Sequence, residues 1–318
     1  MRTMKAVRIH GYGNREVLSY EDTLRPEVGA DEVLVRVAGT SVNPFDWAAR
    51  NGYVTAYYQY TFPHILGLDV SGKVEAVGPE VKGFSIGDEV YGRAHPTRNG
   101  AYAEYISIPA AQVAHKPRSL DLMQAAAVPH VAITAWRAMI DTAAVAAGQT
   151  VLIHGAAGGV GSAAVQLAKW RGAQVIGTGS AYNLDFMRSI GADEVIDYNS
   201  TRFEQVVRDV DVVLDLVGDM GDNTLQRSWQ VIKPGGMLAS LVQFPSPEDA
   251  AAHGVQGSFV SSDVCDTQTL TEIGELIDRG QLRSIVSTVL PLAKVHQAHE
   301  QSENRHVRGK IVLQVNGH

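Results

Sequence analysis

Residues 154–161 read HGAAGGVG, and this stretch restricts the fold more tightly than any other. The run before it, QTVLI, is apolar enough for a buried strand, and the run after it, SAAVQLAKWRG, has the pattern of a helix. Gly155, Gly158 and Gly161 recur at every third position, with Gly159 beside the second. A dinucleotide-binding turn needs glycine for three reasons: the turn is tight, the backbone approaches the pyrophosphate, and the helix packs close against the strand. The helix start then offers free N–H groups and a positive dipole end to the phosphates. Ala156 occupies the first glycine position of the strict G-x-G-x-x-G pattern, and alanine is small enough to stand there. The alternative is a plain strand-to-helix turn. The strand before and the helix after supply the context that a phosphate-binding turn requires. Ala157, Gly158, Gly159 and Val160 are therefore read as the cofactor-binding turn.

From Gln149 onward the rhythm is strand, helix, strand. After the turn come a helix over 162–170, the strand AQVIGTG, a helix NLDFMRSIG closed by Gly191, and the strand DEVIDY. TRFEQVVRD, DVVLDLVG, DNTLQRSWQVI and GGMLASLV continue the alternation. Strands and helices at this spacing predict a doubly wound parallel sheet. The first 120 residues read differently, as short β-like runs (MKAVRIH, EVLVRVAGTSVN, DVSGKVEAVG) separated by turn signals. Residues 120–147 are Ala-rich and helical, with Pro129 dividing two pieces. Further helices are expected over 266–279 and 293–300, and the closing strand is KIVLQV.

Length and composition set the outer bounds. The chain has 318 residues, 45% of them hydrophobic and 19% charged, which suits two domains with substantial cores. Its net charge of −7 disfavours a nucleic-acid backbone as the main partner. The single cysteine, Cys265, excludes an intrachain disulfide and a thiolate metal cluster. The segment MRTMKAVRIHGYGN lacks the apolar centre of a secretory signal, and no apolar run approaches the ~20 residues of a membrane helix. A soluble cytoplasmic protein is the expectation.

The choice of dinucleotide turns on the end of the second strand of the nucleotide domain. An NAD site usually places Asp or Glu there to hold the ribose hydroxyls. Here the strand runs into TGSAYN, and Thr178–Asn183 contains no acid. Ser180, Tyr182 and Asn183 are neutral donors suited to a 2′-phosphate, which favours NADP(H). Ordinary loop polarity is the alternative for these residues. No Arg or Lys stands in the loop, and Lys169 and Arg171 are the basic residues that precede it. Val217 follows the strand VVLD, at the carboxyl end where ligands lie in such sheets.

These segments resemble a known family. HGAAGGVGSAAVQLAK, with ADEVIDY and VLDLVG, is similar to the cofactor domain of the medium-chain dehydrogenase/reductases. SVNPFDWAARNGY, PHILGLDVSGKVEAVG, VKGFSIGDEVYG, GAYAEYISIP and the closing GKIVLQV agree with that family, so the likeness spans almost the whole chain. The chain looks most like the zinc-independent quinone oxidoreductase branch, which includes NADPH-dependent alkenal/one reductases. The resemblance implies an α/β architecture in which a Rossmann domain, residues 123–283, is inserted into a GroES-like β-rich domain, residues 1–122 plus 284–318. It also implies NADPH-dependent hydride transfer to a quinone or an α,β-unsaturated carbonyl, and a homodimer paired through VQGSFVSSDV. An NADPH-binding sensor or structural module with little catalysis is the alternative.

By the same resemblance, Asn43 in NPFD lies on the substrate side of the nicotinamide, where its amide would donate to a carbonyl or to the ribose. The other reading is an asparagine that fixes the turn before Pro44, with Asp46 as a structural cap. Tyr53 would stand over the substrate pocket, within a loop that also carries Tyr57, Tyr58 and Tyr60. Thr134 would lie by the nicotinamide and Tyr198 by the adenosine phosphate. Zinc-dependent members carry a Cys in the early loop and a Gly-His-Glu run, where this chain has GTSVNPFDW and Gly67-Leu68-Asp69. No catalytic metal is therefore expected. His296 and His299, spaced i, i+3, read as a solvated helix face. Without a Lewis acid an alkoxide is poorly stabilised, whereas a quinone or enone is already electrophilic. The protein then has to supply position and a hydrogen bond to the carbonyl oxygen.

Overall fold

The fold is given by a computed structural model that describes residues 2–219, 222–261 and 265–315. In chain order it begins with β1 (Thr3–Ile9), β2 (Leu18–Leu24), β3 (Glu32–Val42), α1 (Pro44–Arg50), β4 (His64–Ile65) and β5 (Asp69–Val77). There follow β6 (Glu89–Arg93), β7 (Tyr105–Pro109), β8 (Val113–His115), α2 (Leu122–Ala126) and α3 (Pro129–Trp136). The alternating part comprises β9 (Thr150–Ile153), α4 (Gly159–Trp170), β10 (Gln174–Gly179), α5 (Leu184–Ser189), β11 (Glu194–Asp197), α6 (Phe203–Val206) and β12 (Val210–Asp215). It continues with α7 (Thr224–Ser228), β13 (Ile232–Ser240), α8 (Pro247–His253) and β14 (Gln256–Phe259). The chain closes with α9 (Thr267–Asp278), β15 (Val286–Pro291), α10 (Val295–Glu303) and β16 (Lys310–Gln314).

Contacts divide the chain into two compact units. One comprises Met1–His130, Asp263–Gly280 and Ser284–His318, and the other Val131–Ser262 with Gln281–Arg283. The first unit therefore also takes α9 and all of α2 but its first residue from the 123–283 span that the sequence suggests for the nucleotide domain.

The first unit is built on β-structure. One sheet has the order β2-β1-β4, and a second has the order β15-β16-β3-β5-β6-β8 with β7 also paired to β3. The last strand completes the sheet formed by the first part of the chain, because β16 runs antiparallel to β3 with Ile311 opposite Val42. Val33, Val35 and Val37 of β3 pack with Val70, Val74, Val90 and Ile106 into one core. β3 is buried at nearly every position, on both faces, so its branched residues pack to either side of the sheet. The segment NPFDWAAR, treated as a loop from sequence, folds instead as α1. Pro44 suits its first position, and the Asp46 carboxylate accepts the Asn43 N–H at 2.8 Å.

The second unit is a six-stranded parallel sheet in the order β11-β10-β9-β12-β13-β14. The chain moves outward from β9 to β11 and then returns to β12 on the other side of β9. The direction of winding therefore reverses beside β9, and such a reversal is where this class of sheet opens a ligand crevice. Leu152, Val213 and Leu238 meet Phe203, Leu225 and Trp229 in the core. Two details differ from the sequence reading. TRFEQVVRD yields only the four-residue α6, and α8 was not anticipated even though Ser246 caps it and Gly254 closes it in the left-handed region. Among the described residues no helix is long and apolar enough to cross a membrane.

Candidate functional site

The glycine turn follows β9 in the second unit. Gly155 has φ +72° and turns the chain, and the Ala156 N–H donates to Thr178 O at 3.1 Å, tying the turn to β10. A Cβ on Gly161 would lie 2.2 Å from Gly155 O and 2.8 Å from Ala156 Cα, so α4 meets the turn backbone to backbone. A Cβ on Gly158 would find only Gly155 O, at 3.4 Å, which leaves the outer side of the turn open. Gly158 is the extended N-cap of α4, and the first N–H to bond back into the helix is that of Ser162, at 2.8 Å. Helix geometry leaves the N–H groups of Gly159, Val160 and Gly161 without intrahelical acceptors. An open turn beneath free N–H groups at a positive helix end fits a pyrophosphate. The helix begins three residues earlier than the sequence reading gave it.

β10 ends at Gly179, and no carboxylate follows before Leu184. Ser180 caps the short turn 181–183, and Asn183 Nδ2 donates to Ser180 Oγ at 3.2 Å. Tyr198 follows β11 and joins this group, because its N–H donates to Gly179 O at 3.2 Å. Tyr182 and Tyr198 are both exposed. The structure thus gathers four candidate adenosine-end residues, Ser180, Tyr182, Asn183 and Tyr198, at neighbouring strand ends. Lys169 and Arg171 lie elsewhere. Lys169 Nζ bonds Asp193 at 2.8 Å and Ala173 O at 3.0 Å, at the amino ends of β10 and β11, and Arg171 bonds Val145 O. The sheet carries both cations at the opposite end from Ser180.

At the carboxyl end of β12 a buried carboxylate shapes the loop. Asp215 Oδ1 accepts the N–H groups of Val217 (3.0 Å) and Gly218 (2.9 Å), and Oδ2 accepts Ser240 Oγ–H at 2.8 Å. Val217 is left half-exposed above it. Sequence reasoning named Val217 but missed Asp215. The available signal was an acid at the end of an otherwise apolar strand, VVLD. Thr134 is buried within α3. His154 is buried in this unit, with Thr178 Oγ1 at 3.2 Å and Ser228 Oγ at 3.0 Å, and burial holds its imidazole neutral down to about 3.

The first unit holds a buried polar network around Asn43. Asn43 is fully buried, its Nδ2 donates to Asp69 Oδ2 at 2.8 Å, and its Oδ1 accepts from Lys310 Nζ. A lysine can only donate and a carboxylate only accept, so the amide orientation is fixed. Asp69 also accepts Ser41 Oγ–H at 2.5 Å and the His130 N–H at 2.6 Å, and Lys310 bonds Val42 O at 2.9 Å. Burial lowers the ammonium of Lys310, against the opposing pull of Asp69 and Asp46.

Beside this group, Asp46 accepts from the Tyr102 hydroxyl at 2.9 Å. Burial lifts its carboxyl to about 7 even though the Asn43 N–H and Tyr102 favour the ionised form. His299 Nδ1 lies 3.0 Å from Arg50 Nη1, which is only a donor, so the ring proton sits on Nε2 and donates to Tyr102 Oη at 3.3 Å. Arg50 in turn bonds Glu303 at 2.6 Å. His299 is therefore not on a solvated face: it is fully buried, while its helix neighbour His296 is exposed, with Nε2 3.0 Å from Leu18 O. The i, i+3 spacing could not reveal that α10 turns this face onto Arg50.

Tyr53 and Tyr57 are exposed on the turn after α1, at 73% and 72%. Tyr58 packs edge-on against Phe45 at 5.5 Å, and Tyr60 tilts over His64 at 4.5 Å. Zinc does not fit the residues present. Leu68 carries no donor, the Asp69 oxygens are taken by Ser41, Asn43 and His130, and the Lys310 ammonium lies 3.5 Å from Asp69. Among the described residues no group of three His, Cys, Asp or Glu could hold a metal ion.

Residues 29–118 match the alcohol dehydrogenase GroES-like domain, and residues 190–313 match the family described as zinc-binding dehydrogenase. The human mitochondrial NAD(P)H oxidoreductase RTN4IP1 is 34% identical, across 98% of this chain and 89% of that protein. The chloroplastic NADPH-dependent alkenal/one oxidoreductase of Arabidopsis thaliana is 33% identical, across 98% of this chain and 80% of that one. The solved quinone oxidoreductase of Coxiella burnetii superposes with a TM-score of 0.89 at 34% identity, covering 99% of this chain and all of that one.

Proposed function

This chain belongs to the medium-chain dehydrogenase/reductase family and is a nicotinamide-dependent oxidoreductase, and from that premise we propose that it reduces quinones or α,β-unsaturated carbonyls with NADPH. The observation that carries the reading is the open glycine turn at the start of α4, followed at the end of β10 by a loop without a carboxylate. The turn and the free N–H groups of Gly159 to Gly161 bind the pyrophosphate. Ser180, Tyr182, Asn183 and Tyr198 receive the 2′-phosphate as neutral donors. Thr134 and Val217 border the nicotinamide, which supplies a hydride when bound. Asn43, clamped by Lys310 and Asp69, has one amide hydrogen left to orient a polar group, and Tyr53 serves the substrate side. The reaction proceeds without zinc, since GTSVNPFDW carries no Cys, Leu68 stands where zinc-dependent members have His, and the Lys310 ammonium lies 3.5 Å from Asp69. The protein acts as a homodimer through β14, an edge strand that among the described residues pairs with β13 alone. Ser262 to Val264, part of the stretch proposed for that pairing, lie outside the described residues.

The test follows NADPH absorbance with 1,4-naphthoquinone and with cyclohex-2-enone, before and after treatment with EDTA. Oxidation of NADPH by at least one of them, unchanged by EDTA, is expected. A protein that binds NADPH but turns over neither would refute the reading. Light scattering on the same preparation should give twice the chain mass of 34.2 kDa.

Cofactor choice has its own test in Ser180→Asp. A carboxylate at the end of β10 would accept the ribose 2′-hydroxyl and repel a 2′-phosphate. The NADPH/NADH ratio of kcat/KM should fall about tenfold, ~1.4 kcal/mol. An unchanged ratio would place the 2′-phosphate elsewhere.

A further inference from the structure

A shallow depression in the first unit is lined by Phe45, Asp46, Tyr60, His64, Leu68 and His95, among others. Tyr60 is only 9% exposed, and its hydroxyl is buried with no hydrogen-bond partner among the described residues. Leaving such a group unsatisfied is costly, so a buried phenol of this kind marks a place where an acceptor is expected. Its walls restrict what that acceptor is. Phe45 and Leu68 are apolar, and His64 is kept neutral by burial down to about 4. The Asp46 carboxyl is already met by the Asn43 N–H and the Tyr102 hydroxyl, so it does not call for a cation. An anion would face Asp46, and the cation of the lining, Arg98, is already paired with Glu32; burying a charge without a partner of its own is costly.

We propose that this depression seats the carbonyl oxygen of the substrate, with the Tyr60 hydroxyl as its hydrogen-bond donor. The seat rests on the quinone or enone reading above and adds the residue that polarises the substrate. As reduction builds negative charge on that oxygen, the Tyr60 O–H bond to it strengthens, and the low-dielectric walls increase its effect. Tyr60 sits where it does because its ring is held between Tyr12, edge-on at 6.3 Å, and His64, at 4.5 Å. The donor is therefore placed before any ligand arrives.

Tyr60→Phe removes a hydroxyl that supports no other side chain, so the fold should survive intact. For 1,4-naphthoquinone and cyclohex-2-enone, kcat/KM should fall about five- to tenfold, while the NADPH dissociation constant stays the same. A second readout needs no turnover. In the complex of the full chain with NADP+ and carbonyl-labelled cyclohex-2-enone, the carbonyl stretch should lie below its solution value. It should return toward that value in Tyr60→Phe. If the wild type oxidises NADPH with neither compound, the functional reading fails, and the carbonyl frequency still reports on the seat. If the wild type is active but Tyr60→Phe changes neither rate nor frequency, the seat alone is refuted.

Discussion

Gly161→Ala should weaken NADPH binding about 100-fold and destabilise the protein, although alanine is the better helix former. Propensity alone would favour the change by ~1 kcal/mol. The new methyl, however, would meet Gly155 O at 2.2 Å and Ala156 Cα at 2.8 Å, and both are backbone atoms that no rotamer change can move. Overpacking of this kind costs about 1–3 kcal/mol, occasionally more, so the clash outweighs the propensity. The relief available is to open the turn, which draws the helix N–H groups away from the pyrophosphate. Losing two charge-assisted hydrogen bonds at ~1.5 kcal/mol each accounts for the affinity loss. Gly158→Ala is the contrast. Its φ is −73° and its Cβ meets nothing closer than 3.4 Å, so the fold should tolerate it. Its methyl stands on the open side of the turn, so cofactor affinity should fall alone. A fluorescence titration with NADPH beside calorimetry separates the two variants. Gly161→Ala binding and melting like the parent would refute the close helix–turn packing.

Acid should unfold the protein well above the pH at which its exposed carboxylates titrate. Burial holds His154 and His299 neutral down to about 3 and His64 to about 4, and His130, which also faces Arg93 and Lys310, is held well below its ordinary value. A group whose folded pKa is depressed binds protons in the unfolded chain first. Stability from these histidines is therefore complete above their unfolded value of about 6.5 and is lost as the pH falls toward 3. At pH 4 the loss is about 3 kcal/mol for each of His154 and His299. Asp46 works the other way. Its carboxyl, lifted to about 7, takes up a proton in the folded state first and gains stability as the pH falls from 7 toward 4. Four histidines outweigh one carboxyl, so the melting temperature should fall steeply between pH 6 and 4. His154→Asn should flatten that slope when calorimetry is run across the range. A melting temperature that is level from pH 7 to 4 would contradict buried neutral imidazoles.

The nucleotide half was legible because its signals are local. Gly155, Gly158 and Gly161 mark a turn whose steric demands span eight residues, and the missing acid after β10 is read from six. The strand–helix alternation gave the parallel sheet for the same reason, although α6 shrank to one turn and α8 passed unnoticed. In the first unit the β-rich character was readable from short β-like runs between turn signals, but α1 was not, because NPFDWAAR is short and its helix depends on the Asp46 cap. The site residues divide in the same way. Ser180, Asn183 and Tyr198 meet as strand ends must in a parallel sheet. Asn43 was read as a free donor or a turn former, whereas in the structure Lys310 and Asp69 hold its amide. His299 was read as exposed because its periodicity carries no sign of Arg50, which is 249 residues away in sequence.

The sequence by itself determined the glycine turn, the doubly wound sheet, the acid-free loop after β10 and the lack of Cys in GTSVNPFDW and of His at position 68. Each follows from sterics or side-chain chemistry within a few consecutive residues. Only the tertiary structure decided which side chains are free to act. It buried Lys310 against Asn43 and Asp69, raised Asp46, silenced four histidines and left the Tyr60 hydroxyl without a partner among the described residues. Protonation and hydrogen-bond satisfaction depend on which distant groups share a low-dielectric interior, and chain folding sets that company.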